Sequence, residues 1–217
     1  MKKKLILFTA NLNNDYGLFK KNNLSKTELK KIIDFCKSDY CSYIDTAISY
    51  DNSHETLGEF DLTEKKIITK IKNYNAKYLS INYLEDIFYE SLSKLKLKNV
   101  YAILLHNSYT SLSLHSNIYI KFLKLLKKKS LVKKIGFSVY TPTELEYCIK
   151  LIKPDLVQIP LNIFDNRFLN SGLLETLKKY KVEIHARSIF LQGLIAKNDW
   201  PKYFDKWQNK INNFKNE

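Results

Sequence analysis

The sequence predicts an α/β fold: a (β/α)8 barrel of the TIM type, incomplete, with about seven strands and the eighth βα unit missing. Three observations carry this prediction. Short apolar runs alternate with amphipathic stretches along the chain, the pattern of parallel strands joined by right-handed crossover helices. Several of those runs close on ionisable residues, as expected where a ligand meets the carboxyl ends of parallel strands. No GxGxxG follows the first run, which disfavours an open doubly wound sheet.

Taken in order, the first strand is predicted near 5–10, where Leu5-Ile6-Leu7-Phe8 leads into Thr9. A helix follows near 25–38, opened by Ser25 and Glu28 as a capping box. Ser42-Tyr43-Ile44-Asp45 marks a strand near 42–46, followed by a helix near 53–60. Lys66-Ile67-Ile68-Thr69-Lys70 marks a strand near 66–70. Between 78 and 96, Tyr83, Ile87, Ser91, Leu92 and Leu95 recur at helical spacing and predict one buried face. Val100 to His106 reads as a strand, 117–130 as a helix and 133–138 as a strand. Pro142 with Glu144 starts a helix over 142–151, since proline is tolerated in a first turn. Strands near 156–160 and 182–187 flank a helix near 170–180. After Gln192-Gly193-Leu194 the character changes: residues 199–217 hold both tryptophans and many polar residues, with no eighth strand. Eight strands close such a barrel, so a missing one leaves two hydrogen-bonding edges and invites self-association. No linker or composition shift divides the chain, and residues 1–217 read as a single domain, C-terminally truncated.

The 217 residues are 45% hydrophobic, enough for one well-buried domain. The net charge of +14 points at first to a nucleic-acid or membrane partner. Yet Arg167 and Arg187 are the only arginines among 36 basic residues, and arginine is the preferred reader of phosphates and bases. The densest cluster, Lys127-Lys128-Lys129 with Lys133-Lys134, falls at a helix end and the next strand start, where lysine complements the helix dipole. A solvated, lysine-rich surface is therefore expected, with no nucleic-acid and no membrane partner. Cys36, Cys41 and Cys148 have no CxxC spacing and read as buried thiols of a reducing compartment. No run approaches the ~18 apolar residues of a membrane span, and the N-terminal run is short for a signal peptide. The expected location is cytoplasmic.

Four residues stand out as candidate catalytic groups: Asp45, Tyr50, Lys70 and His106. A tyrosine is a weak acid, with a reference pKa of about 10. A nearby ammonium favours its phenolate, and an aspartate fixes the ammonium. Together these groups can protonate an oxygen on which negative charge develops, and a histidine can orient and polarise the same carbonyl.

Asp45-Thr46-Ala47-Ile48-Ser49-Tyr50, then Ser53, Glu55 and Leu57-Gly58, resembles the aldo-keto reductase signature. Thr69-Lys70, Leu104-Leu105-His106, Ile135-Gly136-Phe137-Ser138 and Val157-Gln158-Ile159-Pro160-Leu161-Asn162 continue it in the family's order. His185-Ala186-Arg187-Ser188 through Leu191-Gln192-Gly193-Leu194 resembles a branch found with bacterial surface-polysaccharide genes. The resemblance spans roughly residues 4–195.

The resemblance implies a barrel that binds NADPH without a Rossmann fold and reduces an aldehyde or ketone, sugar-derived in one reading, to an alcohol. In that picture Tyr50 is the general acid, Lys70 paired with Asp45 lowers its pKa, and His106 positions the substrate oxygen. Ser138 and Gln158 would hold the nicotinamide carboxamide, with support from Asn162. Thr9 ends the first strand beside the cofactor, Ser188 approaches the pyrophosphate, and Arg187 stacks on nicotinamide or pairs with phosphate. Gln158 as an interior hydrogen bonder and Asn162 as a turn residue are the competing readings. The chain departs from the family at Phe8, Asn13, Asp51 and His54, although Tyr16-Gly17 is retained. His54 reads as a helix-surface residue, and no metal site is expected. Nothing after Leu194 resembles the family's 2′-phosphate loop; Asp199 to Phe214 resembles only the segment leading toward it. A truncated homologue with impaired or no activity is the alternative expectation.

Overall fold

The computed structural model describes residues 5–10, 12, 24–36, 41–195, 202–209 and 212–213. Seven strands form one parallel sheet in the order of the chain. They are β1 (Leu5–Phe8), β2 (Cys41–Asp45), β3 (Lys66–Ile71), β4 (Val100–Leu105), β5 (Val132–Ser138), β6 (Leu156–Pro160) and β7 (Glu183–Arg187). Each pairs in parallel with the next. Helices α1 (Lys26–Phe35), α2 (Ser53–Leu57), α3 (Ile81–Leu95), α4 (Ser108–Lys128), α5 (Pro142–Leu151), α6 (Arg167–Asn170) and α7 (Leu173–Lys179) occupy the crossovers. This is the incomplete TIM-like barrel that the alternation predicts. Among the described residues no strand follows β7, and β1 and β7 have one neighbour each.

Strand side chains alternate between two layers, because successive Cβ atoms point to opposite faces. Ile44, Ile67, Ile103, Phe137, Val157 and Ile159 join the large core beneath the helices. Tyr43, Ile68, Ala102, Leu104 and Leu156 form a second cluster on the inner face. Asp45, Lys70 and Gln158 lie two residues beyond Tyr43, Ile68 and Leu156, so the same alternation carries them to that inner face at its carboxyl end. Gly136 allows β5 and β6 to approach. A Cβ there would lie 1.7 Å from the Leu156 carbonyl oxygen and 3.2 Å from Leu104 Cδ2. Gly136→Ala is therefore expected to cost at least the ~1–3 kcal/mol of an overpacked core. Urea unfolding at an unchanged m-value measures that loss.

The capping chemistry is as predicted. Glu28 N donates to Ser25 Oγ at 3.3 Å and Ser25 N to Glu28 Oε2 at 2.8 Å. Glu144 N donates to Thr141 Oγ1 at 3.2 Å just ahead of Pro142. Other elements differ from expectation. The α3 face centres on Leu84, Phe88, Ser91, Leu92 and Leu95, with Tyr83 and Ile87 only half-buried at its margin. Helix α4 begins at Ser108 and turns through a non-helical His115; its serine-rich first turns lack the apolar period that signals a helix. The helix expected over 170–180 is α7, which starts at Leu173 after Gly172 at φ 73°, and a short unexpected helix, α6, precedes it. Asn13 and Tyr16-Gly17 lie outside the described residues, as do parts of 199–214.

The lysine cluster is largely paired. Lys127 reaches Asp155 at 2.6 Å and Lys129 reaches Glu85 at 2.5 Å, while Lys134 meets Glu183. All three cysteines are buried and free, with Cys36 and Cys41 sulfurs 3.1 Å apart. Among the described residues no helix is long and apolar enough to cross a membrane.

Candidate active site

Backbone pairing continues past β2 and sets the position of the loop that carries Tyr50. Thr46 N donates to Ile68 O at 2.8 Å and Ile48 N to Lys70 O at 3.0 Å. Tyr50 N then donates to Ala47 O, and Ser53 N to Tyr50 O. Lys70 is the fifth of six residues in β3, and His106 follows the last residue of β4. These elements bring all four candidate residues together. Lys70 Nζ lies 2.5 Å from Asp45 Oδ2 and 5.1 Å from the centre of the Tyr50 ring. The Tyr50 and His106 rings meet edge to face at 5.7 Å.

Asp45 and Lys70 are fully buried. Lys70 also donates to Thr46 O at 2.7 Å. Gln158 Nε2 donates to the other Asp45 oxygen at 3.1 Å, and Ser138 Oγ donates to Gln158 Oε1 at 3.4 Å. One polar chain thus runs from β5 through β6 and β2 to β3. Burial raises the Asp45 carboxyl above its ordinary range, against the pull of Lys70 and Gln158. Burial likewise lowers the Lys70 ammonium, against the pull of Asp45. Each group supports the charged form of the other, and removing either leaves a buried charge without its partner.

His106 is pushed down to about 4 by burial, and then by the Lys70 and Arg187 charges. It is neutral at pH 7. Its Nδ1 lies 3.2 Å from Ser49 Oγ. With the Ser49 hydroxyl donating, Nε2 carries the proton and can donate to a substrate oxygen.

His54 corrects the surface assignment: it is buried on α2, with Nε2 3.3 Å from Thr69 Oγ1 and Nδ1 3.1 Å from Ser91 Oγ. Burial lowers it to about 4 as well. Both folded histidine values lie below the unfolded ~6.5, so the unfolded chain binds more protons between those limits. Their contribution to stability is complete above pH 6.5 and is lost as pH falls toward 4. Urea midpoints are expected to fall across that window, and His54→Gln to flatten the fall by about half.

The candidate cofactor residues gather at the same end of the sheet. Thr9 is buried; its N–H donates to Asp45 O at 3.0 Å, and its Oγ1 has no hydrogen-bond partner among the described residues. Phe8 places its ring 5.3 Å from Lys70 Nζ. Arg187 Nη2 donates to Val139 O at 3.0 Å, its guanidinium lies 4.2 Å from the Tyr140 ring centre, and its buried Nε has no partner among the described residues. Ser188 is exposed at φ 61° and opens a turn in which Leu191, Gln192 and Gly193 also have positive φ. Gln158 is an interior hydrogen bonder, as one reading held, and it bonds both Ser138 and Asp45. Asn162 is the turn residue: its Oδ1 accepts from Phe164 N at 2.9 Å and Asp165 N at 3.0 Å. Sequence reasoning missed Ser49, Thr46 and Tyr140. Ser49, adjacent to Tyr50, and Thr46, adjacent to Asp45, carried a signal as members of that motif; Tyr140 carried none. Among the described residues no group of three His, Cys, Asp or Glu could hold a metal ion.

Parallel strands with acid–base groups gathered at their carboxyl ends define a protein of the α/β-barrel enzyme class. The aldo/keto reductase family model matches residues 4–215, and the chain belongs to that family. Among solved structures it is similar to aldo-keto reductase AKR11C1 from Bacillus halodurans in its holo form, at TM-score 0.74 and 18% identity, covering 92% of this chain and 66% of that one. An aldo/keto reductase from Brucella melitensis matches at TM-score 0.62 and 24% identity over 84% and 67% of the two chains. The Bombyx mori aldo-keto reductase AKR2E4 in complex with NADP matches at TM-score 0.65 and 18% identity over 98% and 72%. No curated protein matches the sequence. Family membership makes the chain a carbonyl oxidoreductase in general terms.

Proposed function

We propose that this protein is an NADPH-dependent reductase of a small aldehyde or ketone, sugar-derived carbonyls included, with Tyr50 as general acid. The observation that carries the reading is the Lys70 ammonium held between Asp45 and the Tyr50 ring, with the His106 ring edge to face with that same tyrosine. Lys70 favours the phenolate that Tyr50 becomes after giving up its proton. Neutral His106, its tautomer set by Ser49, orients the substrate oxygen toward Tyr50. The buried, unpartnered Thr9 Oγ1 and Arg187 Nε, together with the Ser138–Gln158 pair, supply donors and acceptors that suit a nicotinamide nucleotide. When bound, the cofactor supplies the hydride that the carbonyl carbon receives. Ser138 and Gln158 would hold its carboxamide, and Arg187 and Ser188 its phosphate side. The Bombyx mori structure, which contains NADP, favours the phosphorylated cofactor.

We read residues 1–217 as one domain, and its buried free thiols favour the cytoplasm. Among the described residues β1 and β7 each pair on one side only, which favours self-association and motivates a second reading as a homologue of impaired activity. Following NADPH and NADH oxidation across a panel of aldehydes and ketones decides between the two. Turnover that stops in Tyr50→Phe supports the reductase. Neither turnover nor a change in NADPH fluorescence at high protein concentration sinks it.

A further inference from the structure

At the opposite, amino-terminal end of β3–β5 lies a cleft of about 540 Å³. It has no part in the chemistry above. That volume is within the ~300–1,000 Å³ typical of small-molecule sites. Lys65, Lys66, Lys127 and Lys133 line it, with Asn99 and Ser130, and among the described residues no carboxylate does. Lys127 is neutralised from the side by Asp155. The other three have no carboxylate partner among the described residues.

Lys65 is nine-tenths buried and makes no side-chain hydrogen bond or ion pair among the described residues. Lys66 Nζ lies 4.9 Å from the Tyr43 ring centre and 5.3 Å from that of Tyr101, and donates to Tyr43 OH at 3.3 Å. Lys133 is exposed at the rim. Behind the cleft Tyr101 donates to Glu183 Oε2 at 2.6 Å. That carboxylate is occupied by Tyr101, Lys134 and His185, so it does not discharge the lysines in front.

Lysines lining one cleft, with no carboxylate partner for three of them among the described residues, raise the local concentration of anions and bind them by charge-assisted hydrogen bonds. We propose that this cleft binds a small ligand carrying several phosphate groups. Its phosphates would sit among Lys65, Lys66 and Lys133, with the Asn99 and Ser130 side chains adding neutral donors. Lysine suffices here because a flexible point charge serves phosphate well without a bidentate fork. The site is independent of the carbonyl chemistry at the other end of the strands.

Calorimetric titration of the full chain with tripolyphosphate and with ATP, at constant ionic strength, tests this. One-to-one saturable binding is expected. Lys65→Met with Lys133→Glu should weaken it by about tenfold or more, the worth of one charged contact. Lys133→Glu alone, at an exposed position, gives the same direction without touching the interior. Lys121→Glu with Lys124→Glu, a larger charge change on the exposed side of α4, should leave it within about twofold. Tighter binding of ATP than of tripolyphosphate assigns a nucleotide, and the reverse assigns a free oligophosphate. The inference is overturned by an equal loss in the α4 variant or by absence of saturable binding. It is also overturned if only duplex DNA binds, with affinity falling steeply in salt.

Discussion

Replacing Tyr50 with phenylalanine is expected to lower carbonyl reduction by about 10²–10⁴-fold, the usual worth of a positioned general acid. The change deletes one oxygen and keeps the ring, so the edge-to-face contact with His106 and the position over Lys70 persist. Unfolding stability should therefore move little, and NADPH binding should remain within about threefold, since the ring geometry beside the cofactor residues is unchanged. Loss of turnover with retained binding separates a proton donor from a structural tyrosine. A variant that keeps wild-type kcat would remove Tyr50 from the chemistry and leave another group to protonate the product oxygen. His106→Gln gives an internal comparison. It should lower kcat while preserving the Tyr50-dependent step, because an amide can still donate to the substrate oxygen.

Lys70→Met is expected to be the most destabilising single substitution at the site, by about 3–5 kcal/mol at neutral pH. It leaves the Asp45 carboxylate fully buried with the Gln158 amide as its remaining side-chain partner. Without the ammonium, Asp45 rises further above its unfolded value. A carboxyl raised on folding stabilises the native state below the unfolded pKa, and that stability is lost as pH climbs through the folded pKa. The variant should therefore recover relative to wild type on acidification. Asp45→Asn combined with Lys70→Met should recover at neutral pH, since no charge is then buried. Chemical denaturation of the three proteins at two pH values measures both effects. If Lys70→Met unfolds at the wild-type midpoint, the buried pair is not the support described above.

The fold was legible in the sequence because burial on both faces of a parallel sheet writes each strand as an apolar run. Ile67-Ile68 and Ala102-Ile103-Leu104-Leu105 are such runs, and the predicted strands agree with the observed ones to within one residue except at the end of β1, which falls two residues earlier. Asp45, Tyr50, Lys70 and His106 were legible for a related reason: three lie at or beside the ends of such runs. The first turns of α4 were not, because Ser108 and Ser111 are buried through hydrogen bonding and close packing and leave no apolar period. His54 was misjudged because it sits between the polar Ser53 and Glu55 on a helix of five residues, too short to show an apolar period. Its partners, Thr69 and Ser91, come from distant segments and have no local signature. The Gln158–Asp45 bond joins residues 113 apart in sequence and is visible only in three dimensions.

Every strand of this sheet pairs with the strand next in the chain. Each long-range backbone ladder therefore closes over a single intervening crossover, and no ladder waits for residues two units away. During synthesis each βα unit can dock on the one already made, from the N-terminus onward. Amide exchange should follow the same geography, with β4 slowest and protection declining toward β1 and β7, whose outer backbone groups have no ladder partner among the described residues. The buried pair sits on β2 and β3, close to the less protected margin. Local opening at β1 would thus admit water beside Asp45 well before the molecule unfolds as a whole.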